Sequence, residues 1–247
     1  MFLLFLCWGS FLNVVSYRII RGISVVTPRS FCPHCNTQLR WFDLIPLLSW
    51  LILGGKCRSC HAPISFLYPF IELLTAFLLM ALVIQVPLNY FFTYFIFFSA
   101  LIVTIRTDIE TMLISRTMTV ALIPVGVVCS AFSLLPINMV ESLLGCILGY
   151  FFLYVIAKTF YYFTGTQGMG QGDLDLIALI GSFTGPIGSW MALTIGSCTG
   201  SLIGIFYILI YQKSRMAKIP FGPFLALGAL FFVLFQTYII SLLFPFS

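Results

Sequence analysis

Seven carboxylates and eight cysteines hold most of the chemistry open to this 247-residue chain. The carboxylates are Asp43, Glu72, Asp108, Glu110, Glu141, Asp173 and Asp175. Most stand among long apolar runs, where an ionisable side chain is costly and by default marks a function. Two have suggestive settings. Asp108 lies in Thr107-Asp108-Ile109-Glu110, just beyond a stretch without charge, and Asp173 follows the loop Gly168-Met169-Gly170-Gln171-Gly172. Two facing aspartates can share one proton, with one carboxylate acting as base towards a water and the other as acid towards a carbonyl. That is peptide hydrolysis with neither a metal nor a covalent nucleophile. Gly170 and Gly172 allow a substrate chain to approach closely. The plain alternative is a pair of solvated loop acids beside an ordinary turn. The glycines are not a dinucleotide fingerprint, because no βαβ pattern surrounds them. Asp175 stands about 200° round a helix from Asp173, as does Glu110 from Asp108, so both are expected to point elsewhere.

The cysteines make a second pattern. Cys32-Pro33-His34-Cys35 and Cys57-Arg58-Ser59-Cys60 are two knuckles separated by 21 residues. Each knuckle supplies two thiolates from a tight turn, and together Cys32, Cys35, Cys57 and Cys60 suit a tetrahedral zinc. Two disulfides are the alternative, and a cytosolic location argues against them. Four thiolates are a closed, structural set, so this zinc is not expected to catalyse. His34 and His61 are weaker ligand candidates than the thiols. The remaining cysteines, Cys7, Cys129, Cys146 and Cys198, fall one to a span and read as apolar packers.

The elements that must position these groups follow from composition. The chain is 61% hydrophobic and 8% charged, against about 25% charged for soluble domains. An ordinary soluble enzyme, a disordered chain and a coiled coil are excluded. Uncharged runs from Leu73 to Ile105 and from Leu176 to Gln212 can each hold more than one crossing of about 20 residues. Cutting at Pro, Gly and charge predicts spans near 1–17, 67–86, 89–105, 115–135, 138–160, 174–187, 189–211 and 221–245. The fold class is therefore an all-α polytopic membrane protein of about eight transmembrane helices with a small cytoplasmic zinc-binding insert. The domains expected are a first transmembrane helix (1–17), a four-cysteine insert (18–66) and a membrane core of about seven helices (67–247). Residues 1–17 read as a retained anchor, with no basic start or small-residue cleavage site.

All twelve Lys and Arg residues lie in or beside the loops after the first, third, fifth and seventh spans. Positive residues stay inside, so those loops, the insert and both aspartates are expected at the cytoplasmic face. The net charge of +5 is concentrated in segment 18–65. It reads as topology and lipid headgroups rather than nucleic acid.

At this point the chain resembles the prepilin peptidases, the type IV leader peptidases of bacterial pilus and type II secretion systems. The resemblance runs nearly end to end. It uses Gly9-Ser10-Phe11-Leu12-Asn13-Val14-Val15, then Pro46-Leu47-Leu48-Ser49-Trp50, and then Gly55-Lys56-Cys57-Arg58 within the paired knuckles. It continues through Ala62-Pro63-Ile64-Ser65, Tyr68-Pro69, Glu72, Asp108 and Gly170-Gln171-Gly172-Asp173, and closes with Ile219-Pro220-Phe221-Gly222-Pro223-Phe224-Leu225. It implies an aspartic endopeptidase of the bacterial inner membrane with Asp108 and Asp173 as the acid–base pair. The implied reaction cuts a prepilin or pseudopilin after a Gly that ends its short basic leader, at the cytoplasmic face. The four-cysteine insert implies a second activity, N-methylation of the new N-terminal residue from S-adenosylmethionine. Gly55 and Glu72 are candidates for the methyl-donor site.

Three positions depart from the family pattern: Leu67 replaces an Arg, Ser115 a Pro and Asp175 a Lys. An anion in place of a cation at Asp175 is expected to move the pH optimum upward or to accompany a divergent substrate. The alternative functions are a peptidase without methyl transfer, a proton-coupled membrane transporter using the same aspartates, and a thiol–redox protein using the Cys-x-x-Cys pairs.

Overall fold

The computed structural model describes residues 1–211 and 220–243, and among these the regular structure is helical. Lys213, Arg215, Lys218 and Ile219, which the sequence reading used for topology and for the last motif, lie outside the described residues. The helices are α1 (Phe2–Ile20), α2 (Leu48–Ile52), α3 (Leu67–Gln85), α4 (Leu88–Thr111), α5 (Arg116–Ala131), α6 (Met139–Thr164), α7 (Gln171–Tyr211) and α8 (Gly222–Leu243). A 3₁₀ turn covers Trp41–Leu44. Six of the described helices are long and apolar enough to cross a membrane: α1, α3, α4, α6, α7 and α8. α5 is apolar but has only 16 residues.

α7 is two helices. Gly185 has φ 71° and ψ −172°, and Pro186 follows. A residue before proline is pushed out of the helical region, and the left-handed φ suits glycine. The chain reverses here. A Cβ placed on Gly149 of α6 would touch both Ile177 Cγ1 (3.3 Å) and Ser189 Cβ (3.4 Å). Those two residues would be about 18 Å apart on a straight helix. The short sixth span and the seventh are therefore the arms of a helical hairpin. With α5, this makes eight apolar helical segments, as expected.

The chain forms two compact units, Met1–Ile84 and Gln85–Ser247. α3, grouped with the membrane core in the sequence reading, falls in the first. That unit also contains α1 and the insert. Asn13 of α1 donates its side-chain amide to the Tyr68 carbonyl of α3 (3.1 Å). Gly9 of α1 allows close approach, since a Cβ there would lie 2.9 Å from Glu72 Cα.

In the second unit, small residues let the helices touch along their backbones, as membrane packing favours. A Cβ on Gly145 of α6 would lie 2.5 Å from the Gly181 carbonyl oxygen of α7. Beside it, Ser142 donates to the Ser182 carbonyl (2.6 Å). Phe97 of α4 stacks on Phe183 of α7 at 4.7 Å. α6 starts in a reciprocal cap, with Asn138 and Glu141 each accepting the other's backbone N–H at 2.8 Å. These contacts fix the helix directions. The end of α4 and the starts of α5, α7 and α8 meet at one end of the unit.

Candidate active site

α4 runs six residues further than the charge-based cut predicts. It includes Asp108 and stops at Met112, whose left-handed φ of 54° turns the chain while its N–H bonds the Asp108 carbonyl (2.9 Å). Charge does not end the helix because Arg106 and Glu110 pair with each other one turn apart. Both sit two residues from Asp108 and so face away from it. Arg106 is buried.

The Asp108 side chain is 4% exposed. Its Oδ2 accepts the backbone N–H of Gly222, the first residue of α8, at 3.0 Å. Asp173 opens the first arm of α7, and its backbone N–H bonds the Gly170 carbonyl (3.2 Å). The two carboxyl groups are close enough to interact electrostatically. One side chain joins their surroundings. A Cβ on Gly172 would lie 2.8 Å from Ile114 Cβ, and a Cβ on Gly222 would lie 3.0 Å from Ile114 Cδ1 and 2.7 Å from Asp108 Oδ2. Ile114, in the short α4–α5 connection, therefore fits between the glycine beside Asp173 and the glycine that bonds Asp108.

The start of α7 is fastened on both sides. Gln171 Nε2 donates to the Tyr150 hydroxyl of α6 (2.9 Å). Asp175 accepts from Arg116 Nε of α5 (2.7 Å). Asp175 does turn away from Asp173, as expected. The anion that stands where the family pattern has a cation is met by a cation of its own.

In the first unit the four knuckle cysteines converge, with their Sγ atoms all within 4.8 Å of one another. Cys32 and Cys60 sulfurs are 3.9 Å apart. Zinc–sulfur bonds of about 2.3 Å give a tetrahedron with edges of about 3.8 Å, so the set fits zinc. The two knuckles repeat one another: Asn36 and His61, each one residue past its second cysteine, take φ of 56° and 57°. Their N–H groups bond back to Cys32 and Cys57 (2.9 and 3.0 Å). His61 thus serves through its backbone, and neither His34 nor His61 belongs to the cluster. Hydrogen bonding with the Thr37 hydroxyl (3.3 Å) and backbone holds the Cys35 thiol down to about 6. Against the pull of the Ala62 backbone, burial and the neighbouring thiols push Cys60 up to about 11.

Gly55 and Glu72 hold the two ends of α2. Gly55, at φ 67°, lies under the Trp50 ring, where a Cβ would come within 2.9 Å of Cζ2. The Trp50 indole N–H donates to the Ile64 carbonyl (3.1 Å). Buried Glu72 accepts the Leu47 backbone N–H at 2.9 Å. Leu47 has φ 61° and ψ −52°, and Leu48 N–H reaches back to the Pro46 carbonyl (2.6 Å). This γ-turn is a strained conformation for a leucine, and the carboxylate anchors it.

Comparison with known proteins gives the family. Residues 3–86 match the bacterial peptidase A24 N-terminal domain, and residues 95–209 match the type IV leader peptidase family. A prepilin leader peptidase/N-methyltransferase of Bacillus subtilis (strain 168) is 35% identical over 98% of this chain and 95% of its own. One of Aeromonas hydrophila is 34% identical over 92% and 87%. The chain belongs to the type IV leader peptidase family. A Legionella pneumophila member is 33% identical over 84% of this chain and 72% of its own. No solved structure matches the chain.

Family membership gives the transporter alternative no support. The family motifs place Gly222 in the stretch that leads into α8, but nothing in that stretch said that its N–H reaches Asp108. Ile114 and Arg116 carried no signal beyond lying near Asp108 in sequence.

Proposed function

We propose that the protein is a prepilin peptidase of the bacterial inner membrane, with Asp108 and Asp173 as its catalytic pair. The observation that carries this is the convergence of the two aspartates, from helices 65 residues apart in sequence, on one end of the second unit. Arg106, Arg116 and Lys158 lie towards that end, which the positive-inside rule assigns to the cytoplasm. The substrate is a prepilin or pseudopilin, cut after the Gly that ends its basic leader.

One carboxylate removes a proton from water as its oxygen attacks the scissile carbonyl, while the other donates a proton to the carbonyl oxygen. Collapse of the resulting diol breaks the C–N bond, and the proton passes to the leaving amine. Gly222 keeps one Asp108 oxygen in place through both steps. The Gly170–Gly172 loop gives a substrate strand backbone-level access to Asp173.

The first unit supports the second activity, methyl transfer to the new N-terminus. S-adenosylmethionine supplies the methyl group. Cys32, Cys35, Cys57 and Cys60 would hold a structural zinc that braces the insert. Gly55 and Glu72 shape the donor site by fixing α2 rather than by offering it free polar groups.

The test is mass spectrometry of a co-expressed prepilin with wild-type, Asp108→Asn and Asp173→Asn membranes. The expected result is loss of the leader with wild type alone, and a further gain of about one methylene on the product. Cleavage that survives both substitutions removes the aspartate mechanism.

A further inference from the structure

We propose that Ile114 determines which residue can precede the scissile bond, by filling the space where that residue's side chain would lie. The proposal rests on the peptidase reading above and deepens it. Three observations carry it. First, Ile114 contacts the backbone next to both aspartates. A Cβ on Gly172 would lie 2.8 Å from its Cβ, and a Cβ on Gly222 3.0 Å from its Cδ1. Second, the same position on Gly222 is only 2.7 Å from Asp108 Oδ2. The wall that Ile114 forms therefore begins within one side chain's reach of the reacting carboxylate. Third, Ile114 is half-buried rather than sealed in the core, so part of it stays open to an approaching substrate strand.

The side chain cannot easily give way. A β-branched residue has a stiff χ1, and Met112, at φ 54°, fixes the turn that delivers it. A substrate residue held beside Ile114 thus meets a branched wall where its own Cβ would begin. A glycine passes, and an alanine collides. Ile114 touches no reacting atom in this reading. It selects the substrate, while Asp108 and Asp173 perform the chemistry.

The experiment uses the full-length protein in membranes and two prepilin substrates, one ending its leader in Gly and one with that Gly changed to Ala. Cleavage rates of both are measured by mass spectrometry for wild type, Ile114→Val, Ile114→Ala and Leu113→Ala. Cleavage of the Gly substrate by wild type checks the peptidase reading by itself. The size of one excluded methyl predicts that wild type favours Gly over Ala by about 10–200-fold. Ile114→Ala is expected to narrow that ratio by about tenfold or more, Ile114→Val by less, and exposed Leu113→Ala not at all. The ratio is internal to each membrane preparation, so a poorly accumulating variant still gives a reading, and Ile114→Val covers the case in which Ile114→Ala does not fold. An unchanged ratio in the Ile114 variants, or an equal change in Leu113→Ala, overturns the proposal even while the Gly substrate is cut.

Discussion

Gly222 and Asp108 are 114 residues apart in sequence, yet a backbone N–H of one rests 3.0 Å from a carboxylate oxygen of the other. The bond ties the start of α8 to the last turn of α4 and gives Asp108 a fixed partner that does not itself titrate. A Cβ at Gly222 would intrude on the same oxygen at 2.7 Å. Gly222→Ala is therefore expected to lower the cleavage rate constant by about 100-fold, the scale of a 1 Å misplacement at a reacting centre. KM should move little. Initial rates at saturating prepilin check this, alongside a thermal unfolding midpoint showing that the variant is folded. A rate within a factor of two of wild type would show that the hydrogen bond is idle.

Arg116 and Asp175 form a pair whose members are unequally placed, at 65% and 7% side-chain exposure. An exposed ion pair contributes about 0–1 kcal/mol, whereas stranding a buried carboxylate costs several. Arg116→Ala falls between these and is expected to cost about 1–2 kcal/mol. Asp175→Lys sets two cations against each other and should cost at least as much. The double reversal Arg116→Asp/Asp175→Arg should recover most of the loss. Unfolding midpoints in detergent for wild type and the three variants decide it. Because Arg116 answers the charge of Asp175, the pH optimum is not expected to lie high on that account. A profile moved to lower pH by the double reversal would contradict this.

The four-thiol cluster predicts one zinc per chain after purification without added metal. Cys57→Ser should reduce the metal content severalfold and make the segment between Cys32 and Cys60 sensitive to protease. Elemental analysis and limited proteolysis read the two effects separately. Full metal content in that variant would mean that the sulfurs gather for some other reason.

Glu72 anchors the strained turn at Leu47, and a double variant tests this against direct contact with the methyl donor. A hydrogen bond to a charged group is worth about 1.5–3 kcal/mol, and a non-glycine residue held at positive φ costs about 1–3 kcal/mol. Glu72→Ala should thus loosen the turn and abolish methylation. Leu47→Gly added to it should relieve the strain and restore part of the methylation, as seen by product mass. No recovery would place the carboxylate in direct contact with the donor.

What the sequence determined by itself was everything that depends on local chemistry. Apolar runs bounded by Pro, Gly and charge placed all the described helices long enough to cross a membrane, because burying such a run in lipid needs no partner. The knuckles were legible because each builds its turn within a few residues. Asp108 and Asp173 stood out because a carboxylate in such a chain is expensive. The end of α4 was drawn short because Arg106 and Glu110 were counted as a boundary. Set one turn apart they satisfy each other, and the helix continues through them to Thr111.

Only the tertiary structure decided what those residues face. Gly222 meets Asp108, Arg116 meets Asp175, and Ile114 lies between two glycines because the end of α4 meets the starts of α5, α7 and α8. That arrangement is set by contacts such as Gly145 on Gly181 and Phe97 on Phe183. Such contacts depend on the shapes of two helix surfaces at once. A single sequence shows small and aromatic residues on each surface, but not which pair will interlock.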